Sequence, residues 1–534
     1  MSQGPNAPAL VAARLALGTG DFARAAQIAE GLARADPALA EARFVLGVAL
    51  AETGHMVHAL GQVQRAADLA PDNAEYAAQL ARLLIQLQRD QAARDAAVLA
   101  MALPTDDPLV LDTLGCVLAR LGDHGDALPL FARAVGAEPD VLSFRFNYAS
   151  SLGFFGETEA AAVQYEAMIA RDPANGAAHY GLAGLARQTA QHNHIARIEA
   201  VLPAARDHGE RVRLHYAAAK EHEDLGASDA AFAHLDAANR AHKAHIGYRA
   251  DADAAVFAAL QASFADLSYF SGSAGASAGS APIFIVGLPR TGTTLVDRIL
   301  GAQPLVHSLG ELQAMPLAIK RLTQTPSRLV LDDQTIVAAG TVEPAAVAAA
   351  YMAQVATQAG AQAAIDRGAH LVDKFPLNFL YVGYIARAFP DARIVCLRRD
   401  PMDSVWSNFK HLFALASPYY GYSYDVADTA RYYAGFARLM AFWRTQFPAS
   451  VMELRYEDLL ADPEAQTRAL LAHCGLPWDA ACLDFHKSGG AVATPSAQQV
   501  RRPINSDSLG RWKRYAAHMA PVRDVFRKCG IAVD

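Results

Sequence analysis

The chain of 534 residues is too long for a single hydrophobic core, so its length predicts two or more domains. Its composition, 52% hydrophobic and 19% charged, is typical of a globular protein. No stretch approaches 18 consecutive apolar residues, so no membrane span is predicted. The N-terminus also lacks the charged and apolar regions of a signal peptide, and a cytoplasmic protein is therefore expected.

The charge is divided unevenly along the chain. Residues 1–280 carry a net charge of −11 and residues 281–534 a net charge of +4. A basic half suits phosphate handling and an acidic half suits an interaction surface, although two ordinary solvated surfaces would give the same balance. No nucleic-acid partner is expected.

Five scattered cysteines show no CxxC or CxxxH pairing, so the pattern indicates no metal site. We expect reduced and mostly buried thiols at these positions.

The first half of the chain contains a repeat with a period of about 34 residues, marked by Pro37, Pro71, Pro104, Pro139 and Pro173. Within each interval two amphipathic helical patterns meet at a Gly or polar turn, and small residues such as Ala59 and Ala127 allow close packing. This resembles the tetratricopeptide repeat, an α-solenoid whose concave groove usually binds peptide segments. A generic helical bundle or a coiled coil is the alternative, but sustained heptads are missing.

A Gly/Ser/Ala run, SGSAGASAGSA, separates the repeats from a different pattern. After it, short apolar strands alternate with helices, which predicts an α/β domain with a parallel sheet. We therefore expect a repeat array over 1–250, a helix and flexible linker over 251–281, and an α/β P-loop-like domain over 282–534. A fragment starting near Ser280 should then fold alone.

The first predicted strand of this domain (282–286) leads into the run GLPRTGTT, and a helix follows. Gly287 and Gly292 let the backbone curl so that its N–H groups point inward, which is the context of a phosphate-binding loop. The spacing matches G-x-x-x-x-G-K-[ST], but Thr293 replaces the lysine that a nucleoside triphosphatase requires. Arg290 is the cation within this loop.

The run PRTGTT resembles the 5′-phosphosulfate loop of sulfotransferases, and closely the PRSGTT of tyrosylprotein sulfotransferases. This resemblance implies the sulfotransferase fold, 3′-phosphoadenosine 5′-phosphosulfate (PAPS) as sulfuryl donor, and no metal. The ligands that it implies in this loop are Arg290, Thr291, Gly292, Thr293 and Thr294.

A second motif follows about a hundred residues later, where Arg399 closes a strand and Ser407 lies in the next helix. A guanidinium and a hydroxyl so placed can converge on one phosphate. The run RDPMDSVWS resembles the family's 3′-phosphate motif, R-[ND]-P-x-D-x-x-x-S, with every defined position filled. The resemblance implies that Arg399 and Ser407 bind the 3′-phosphate; a basic strand end capped by Asp-Pro is the alternative.

A third segment, SAQQVRRPIN, is similar to the S-x-x-Q-V-x-x-P-x-N segment that covers the nucleotide in tyrosylprotein sulfotransferases. A basic residue before Trp completes the family's site; it is usually Lys, and here it is Arg. A Tyr in LRYEDLL matches a nucleotide-contacting Tyr of the family, although a core Tyr would look the same. The implied contacts are Ser496, Gln499, Val500, Asn505, Arg511 and Tyr456.

Sulfuryl transfer needs a base for the acceptor hydroxyl and cations on the transferring group. Glu311, in HSLGEL, resembles the acidic residue of the family's R-C-G-E-E segment and is the implied base, although the preceding Arg and Cys are absent. Asp373 is the next candidate. Lys374 resembles the family lysine that contacts the transferring group, and Arg290 and Ser496 would complete the charge clamp.

The function that the resemblance implies is transfer of sulfate to a hydroxyl, with a peptide tyrosine docked by the repeats as the favoured acceptor. A glycan or small-molecule acceptor and a non-catalytic repeat scaffold remain open, while the missing lysine disfavours a P-loop kinase or NTPase. Four tyrosines either line an acceptor cleft or anchor a loop: Tyr419, Tyr420, Tyr422 and Tyr424.

Overall fold

The computed structural model describes residues 6–266, 281–327, 329–358, 360–487 and 505–533. The chain forms two compact units. The first comprises Met1–Met168 with Thr357–Gly360, and the second comprises Ile169–Ala356 with Ala361–Asp534.

The first unit consists of antiparallel helix pairs, as the repeat predicted. Its helices are α1 (Ala7–Gly18), α2 (Phe22–Ala35), α3 (Ala40–Glu52), α4 (Met56–Leu69), α5 (Ala74–Gln86), α6 (Asp90–Met101), α7 (Pro108–Leu121), α8 (His124–Ala137), α9 (Leu142–Phe155) and α10 (Thr158–Arg171), of which the last runs past Met168. The tetratricopeptide-type array is confirmed.

Small residues at a fixed spacing hold the two helices of each pair together. On the second helices, one fully buried alanine recurs per repeat at the same position, as Ala25, Ala59, Ala93, Ala127 and Ala161. On the facing first helices, Gly47 and Gly115 occupy equivalent positions. A Cβ at Gly47 would lie 2.5 Å from Val63, and one at Gly115 would lie 2.6 Å from the Phe131 ring. These positions therefore require residues small enough for the helices to touch.

The turn within each pair uses a left-handed residue. Gly54, Gly122 and Gly156 have φ of 86° to 88°, and Gln88 takes the same place in the third repeat with φ of 56°. A side chain in this region costs free energy that glycine avoids. The third repeat thus keeps the turn geometry although it has lost the turn glycine.

The second unit begins with helices that precede the sheet. They are α11 (Gly176–Leu185), α12 (Ile195–Val201), α13 (His208–Asp224), α14 (Ser228–Ile246) and α15 (Ala250–Ala265). The α13–α14 pair again turns at a left-handed glycine, Gly226, with φ of 78°.

A five-stranded parallel sheet forms the centre of the second unit, as predicted. Its strands are β1 (Ile283–Gly287), β2 (Val306–Ser308), β3 (His370–Lys374), β4 (Arg393–Arg398) and β5 (Val451–Arg455), in the order β2-β3-β1-β4-β5. The short edge strand β2 has no apolar run of its own and was absent from the sequence prediction.

Helices cover both faces of this sheet. Along β1, Ile283 and Ile285 enter one buried cluster, and Phe284 and Val286 enter another. The α-helices described after β1 are α16 (Thr293–Gly301), α17 (Ala314–Thr323), α18 (Asp333–Ala339), α19 (Pro344–Val355), α20 (Ala361–Asp366), α21 (Val382–Ala388), α22 (Pro401–Phe409), α23 (Val426–Gln446), α24 (Tyr456–Ala461), α25 (Pro463–His473) and α26 (Ala520–Lys528).

The compact units divide the chain earlier than the sequence predicted. The predicted boundary lies after residue 250, whereas the second unit starts at Ile169. The reason is packing, because the helices before the sheet share its core: Asn239 on α14 donates a 2.9 Å bond to the Phe409 carbonyl, and α15 is buried in the same core. A Cβ at Gly435 would lie 2.4 Å from the Phe257 ring, and one at Gly383 would lie 2.4 Å from the Phe264 ring. Residues 267–280 of the predicted linker lie outside the described residues.

In the described part of the chain, no single helix has both the length and the apolar character to cross a membrane; α18 and α19, bent by 113°, reach that threshold only as a pair.

Candidate active site

The predicted phosphate loop connects β1 to α16, and three of its residues have the positive backbone φ angles that a tight loop of this kind requires. Gly287 has φ of 154°, Gly292 has φ of 106°, and Arg290 between them has φ of 64°. A Cβ at Gly287 would lie 2.7 Å from the Leu397 carbonyl oxygen, and one at Gly292 would lie 2.8 Å from the Tyr456 ring. Neither glycine tolerates a side chain. The loop therefore presses its backbone against β4 and against Tyr456.

The N-terminus of α16 follows this loop. Gly292 is its N-cap and supplies no side-chain cap. Thr291, Thr293 and Thr294 are buried around this first turn, and the Thr291 hydroxyl donates a 2.7 Å hydrogen bond to the Leu288 carbonyl. The first turn of the helix therefore has no side-chain cap at its N-cap residue, an arrangement that is suited to binding an anion.

The second motif lies at the end of β4, with Arg399 just beyond the strand and Ser407 on α22. The Arg399 guanidinium stands 5.1 Å from the centre of the Tyr456 ring and donates to the Ser508 carbonyl. Its Nε is buried with no hydrogen-bond partner in the part of the chain that the structure describes. A buried guanidinium donor suits a phosphate oxygen.

Tyr456 joins the two predicted subsites. Its ring lies against Gly292 and near Arg399, and its hydroxyl is 3.0 Å from the Ser508 hydroxyl. The structure therefore brings together the loop, the second motif and the chain that follows the third segment around one aromatic ring. Tyr456 therefore contacts both motifs, and its contact with the nucleotide stays a prediction.

Asp403, the defined acidic position of the second motif, fixes the segment before Trp512. It is almost fully buried, and its carboxylate accepts from the backbone N–H groups of Gly510 at 2.6 Å and Trp512 at 3.3 Å. It also lies 3.6 Å from Arg399. The aspartate thus holds the chain around Arg511 beside the second motif. The sequence motif contained this residue, but only the structure gives it this positioning role.

The remaining residues of the third segment are only partly described. Asn505 is exposed, and Arg511 donates a 2.9 Å bond to the Asp507 carbonyl. The predicted contacts Ser496, Gln499 and Val500 lie outside the described residues.

A group of cations surrounds the predicted donor site. Burial lowers the pKa of the Lys410 ammonium, and the charges of Arg511 and Arg290 lower it further, while Glu223 opposes them. Burial also lowers the pKa of the Arg290 guanidinium, and Arg399 adds to this effect. Like charges held this close favour binding of a polyanion.

Glu223 enters this group from α13, a helix that sequence reasoning had assigned to the repeats. Its carboxylate accepts two bonds from Lys410 Nζ, at 2.8 and 2.9 Å. Nothing in the sequence around Glu223 signals this role, because the pairing joins positions 187 residues apart. The preceding helices therefore contribute directly to the site.

The two main catalytic candidates, Glu311 and Lys374, form an ion pair. Lys374, at the end of β3, is 1% exposed, whereas the Glu311 side chain is 47% exposed. The Lys374 N–H also donates a 2.9 Å bond to the Gly310 carbonyl, which fixes the Glu311 backbone beside β3. The carboxylate is thus accessible to an acceptor and is held by a buried cation.

Asp373, the second candidate base, points into the core instead. Successive residues of a strand face opposite sides of the sheet, so Asp373 and Lys374 diverge. Burial raises the pKa of Asp373 to about 8, and its carboxyl accepts from the Tyr351 hydroxyl at 3.2 Å. Within the described residues Asp373 is fully buried, whereas the Glu311 side chain is exposed.

One tyrosine of the run, Tyr422, anchors the phosphate loop through Asn408. Tyr422 stacks on Tyr432 with ring centres 3.8 Å apart and donates a 3.0 Å bond to Asn408. Asn408 in turn donates a 2.9 Å bond to the carbonyl of Pro289 in the loop. Tyr420 differs, because its pKa rises to about 12 through burial and the nearby charge of Glu311. Of these tyrosines, Tyr420 is the one that lies close enough to Glu311 for electrostatic coupling.

Comparison with known proteins identifies this region. Residues 282–480 match the family model described as "Sulfotransferase family". An uncharacterized protein of Aquifex aeolicus (strain VF5) is 33% identical over 46% of this chain and 32% of its own length. "Protein-tyrosine sulfotransferase 1" of Danio rerio is 27% identical over 43% of this chain and 65% of its own length. This chain spans less than two thirds of the length of these two relatives.

Among solved structures, the "Sulfotransferase Domain from the Synechococcus PCC 7002 Olefin Synthase" aligns with 49% of this chain and with that whole chain, at 18% identity and a TM-score of 0.35. The phosphate loop, the ion pair of Glu311 and Lys374, and the second motif all lie within the residues 282–480 that match the sulfotransferase family model.

Proposed function

We propose that the protein is a sulfotransferase that uses PAPS as donor and a hydroxyl as acceptor, with a tyrosine of a protein or peptide favoured. The observation that carries this proposal is the convergence of two anion subsites on Tyr456. The uncapped start of α16 suits a 5′-phosphosulfate, and Arg399 suits a 3′-phosphate. Two separate phosphate subsites on one nucleotide are what PAPS requires.

The residues fit the donor in charge as well as in position. Arg290 and Lys410 supply positive charge at this site, and Glu223 offsets part of it. Thr293 takes the place of the lysine of a triphosphatase loop, which removes a residue that phosphoryl transfer from ATP depends on. Bound PAPS would supply the sulfuryl group and leave as adenosine 3′,5′-bisphosphate.

Glu311 is the proposed general base. Its exposed carboxylate takes the proton of the acceptor hydroxyl while the new S–O bond forms and the bond to the 5′-phosphate breaks. Lys374 holds this carboxylate in place and keeps a positive charge next to the transferring group. Ser496 belongs to the same proposal through the resemblance alone, because it lies outside the described residues.

Two considerations favour a tyrosine acceptor. One relative is named a protein-tyrosine sulfotransferase, and repeats of this type present a groove suited to peptides. We therefore propose that the repeat array of the first unit docks the acceptor polypeptide. The same catalytic residues would serve a glycan or a small-molecule hydroxyl, so the acceptor must be measured.

The donor is tested by calorimetric titration of the full chain with adenosine 3′,5′-bisphosphate and with ATP, each with and without Mg²⁺. We expect the bisphosphate to bind independently of Mg²⁺ and more tightly than ATP. Tight binding of ATP that requires Mg²⁺ would contradict the donor assignment.

The acceptor is tested with ³⁵S-labelled PAPS and three substrates: a tyrosine peptide, its phenylalanine counterpart and a glycan. Label on the tyrosine peptide alone supports the favoured acceptor. Label on the glycan alone would retain the sulfotransferase and reject the tyrosine. No label on any of these substrates or on proteins of a host lysate, with the bisphosphate bound, would indicate a non-catalytic scaffold.

A further inference from the structure

Three helices before the sheet bring two histidines and a glutamate together, away from the donor site. Glu199 comes from α12, His222 from α13 and His234 from α14. The Glu199 Oε1 atom lies 3.2 Å from His222 Nε2 and 3.5 Å from His234 Nε2. All three atoms lie within 4.8 Å of one another. Each comes from a different helix, so the cluster exists only in the folded unit.

The cluster has the composition and size of a transition-metal site. Two imidazoles and one carboxylate are a common ligand set for Zn²⁺, with metal–ligand distances of about 2.0–2.2 Å. Tetrahedral geometry at those lengths places ligand atoms about 3.3–3.6 Å apart. The two distances to Glu199 fall close to this range. His222 and His234 are 15% and 16% exposed and Glu199 is 46% exposed, which leaves an entry path and room for a water ligand.

A neighbouring residue orients one of the imidazoles. His234 Nδ1 lies 3.0 Å from Nδ1 of His215, which is on α13 two turns before His222. A proton on His234 Nδ1, donated to His215, leaves the lone pair of His234 Nε2 directed at Glu199 and His222. Histidines that bind metals usually donate their second ring N–H to a carboxylate, a backbone carbonyl or water, and here the imidazole of His215 takes the place of that acceptor.

We propose that Glu199, His222 and His234 bind one divalent transition-metal ion of the zinc class, which ties α12, α13 and α14 together. This ion lies outside the sulfuryl-transfer site and takes no part in the chemistry. The ion would nevertheless bind α13, a helix that contributes to the donor site, because its ligand His222 directly precedes Glu223, the partner of Lys410. Bound metal would therefore stabilise the position of α13 beside the donor site.

The sequence predicted no metal because it contains no CxxC or CxxxH pairing. Here the three ligands lie on three successive helices, far apart in sequence, and no short motif records them. The same distances would also permit two N–H···O bonds to Glu199 with no metal, and a direct binding measurement separates the two arrangements.

The test uses the untagged full chain, stripped with a chelator and dialysed. Zn²⁺ is titrated against a chromophoric competitor, and bound metal is counted by mass spectrometry. We expect one Zn²⁺ per chain and a rise in the melting temperature that a chelator reverses, with no comparable effect of Mg²⁺. Glu199→Gln and His234→Gln should each weaken Zn²⁺ binding about 100-fold or more, since removing an outer partner alone costs about 10–100-fold.

His245→Gln is the matched control, because His245 is exposed on α14 and its ring stacks on His208, outside the cluster. It should leave Zn²⁺ affinity unchanged. Glu199 is half-exposed, so Glu199→Gln keeps the test valid if His234→Gln fails to fold. Absence of saturable Zn²⁺ binding to wild type, or equal losses in Glu199→Gln and His245→Gln, would overturn the proposal.

Discussion

Replacing Gly292 with alanine tests the packing on which the donor site depends. The added Cβ would lie 2.8 Å from the Tyr456 ring, and the backbone there has φ of 106°. Relief of the contact requires the ring to move by roughly 1 Å, since carbon atoms pack at about 3.5–4.0 Å. That movement would disturb the Tyr456 contacts with Arg399 and Ser508 together.

The expected cost has two parts. An alanine in a sparsely populated backbone region costs about 1–3 kcal/mol. Overpacking against a held ring costs typically about 1–3 kcal/mol more. We therefore expect a total of about 2–6 kcal/mol, divided between stability and ligand binding. A share of about 2 kcal/mol in binding corresponds to roughly thirtyfold in Kd.

The assay is calorimetric titration with adenosine 3′,5′-bisphosphate, together with the melting temperature of the same protein. A double-mutant cycle with Tyr456→Ala separates the two parts, because removal of the ring removes the larger steric contact and leaves the backbone cost and a 3.2 Å contact with Leu397. Gly292→Ala should thus be less harmful in the Tyr456→Ala background. Gly301→Ala is the matched control on α16, since nothing lies within 4 Å of its added Cβ. Unchanged Kd and melting temperature in Gly292→Ala, or equal costs in both backgrounds, would refute this reasoning.

Four further outcomes are expected. Glu311→Gln should lower turnover about 10²–10⁴-fold in the sulfuryl-transfer assay, the usual contribution of a general base, with nucleotide affinity within a few-fold. Arg399→Ala should weaken adenosine 3′,5′-bisphosphate by about 1.5–3 kcal/mol and hardly affect adenosine 5′-phosphate in calorimetry. Gln88→Gly should raise the melting temperature, because a left-handed side chain costs about 1–2 kcal/mol. A fragment starting at Ile169 should fold and bind the bisphosphate. A fragment starting at Ala281 lacks α15, so it should aggregate, which size-exclusion chromatography would detect.

Each of these predictions has either a control variant or an outcome that would contradict it. Gln64→Gly, in the middle of α4, should destabilise by about 1 kcal/mol, opposite in sign to Gln88→Gly. Equal loss of both nucleotides in Arg399→Ala would remove that residue from the 3′ subsite. Near-full activity of Glu311→Gln at neutral pH would reject it as the base. A soluble, nucleotide-binding fragment from Ala281 would restore the boundary that the sequence suggested.

Sequence reasoning recovered the parts of the fold that local patterns encode. The repeat follows from periodic prolines and small residues, and four of the five strands follow from apolar runs such as that of β4. The family resemblance implied roles for Glu311 and Lys374 one by one, and in the structure these two residues form an ion pair. These features depend on residue type and short spacing, which a single sequence displays.

What the sequence did not reveal depends on contacts between distant segments. α13 reads as one more repeat helix, yet its Glu223 pairs with Lys410. α15 reads as a linker helix, yet Leu260 and Phe264 are fully buried. Each of these helices looks amphipathic in sequence, with one apolar and one polar face. The sequence does not show which element packs against the apolar face, and only the tertiary fold decides this.

The regular spacing of the repeat array also limits how its length can change during evolution. Buried alanines such as Ala59 and Ala93 recur once per repeat, and each stacked repeat contacts only its neighbours. A tandem duplication or deletion of one whole repeat therefore recreates every helix contact at the new junction. An insertion of any other length would rotate the following helices and expose their small residues. The array can lengthen or shorten in steps of one repeat, and recombination between neighbouring repeats is the simplest genetic route to such a change.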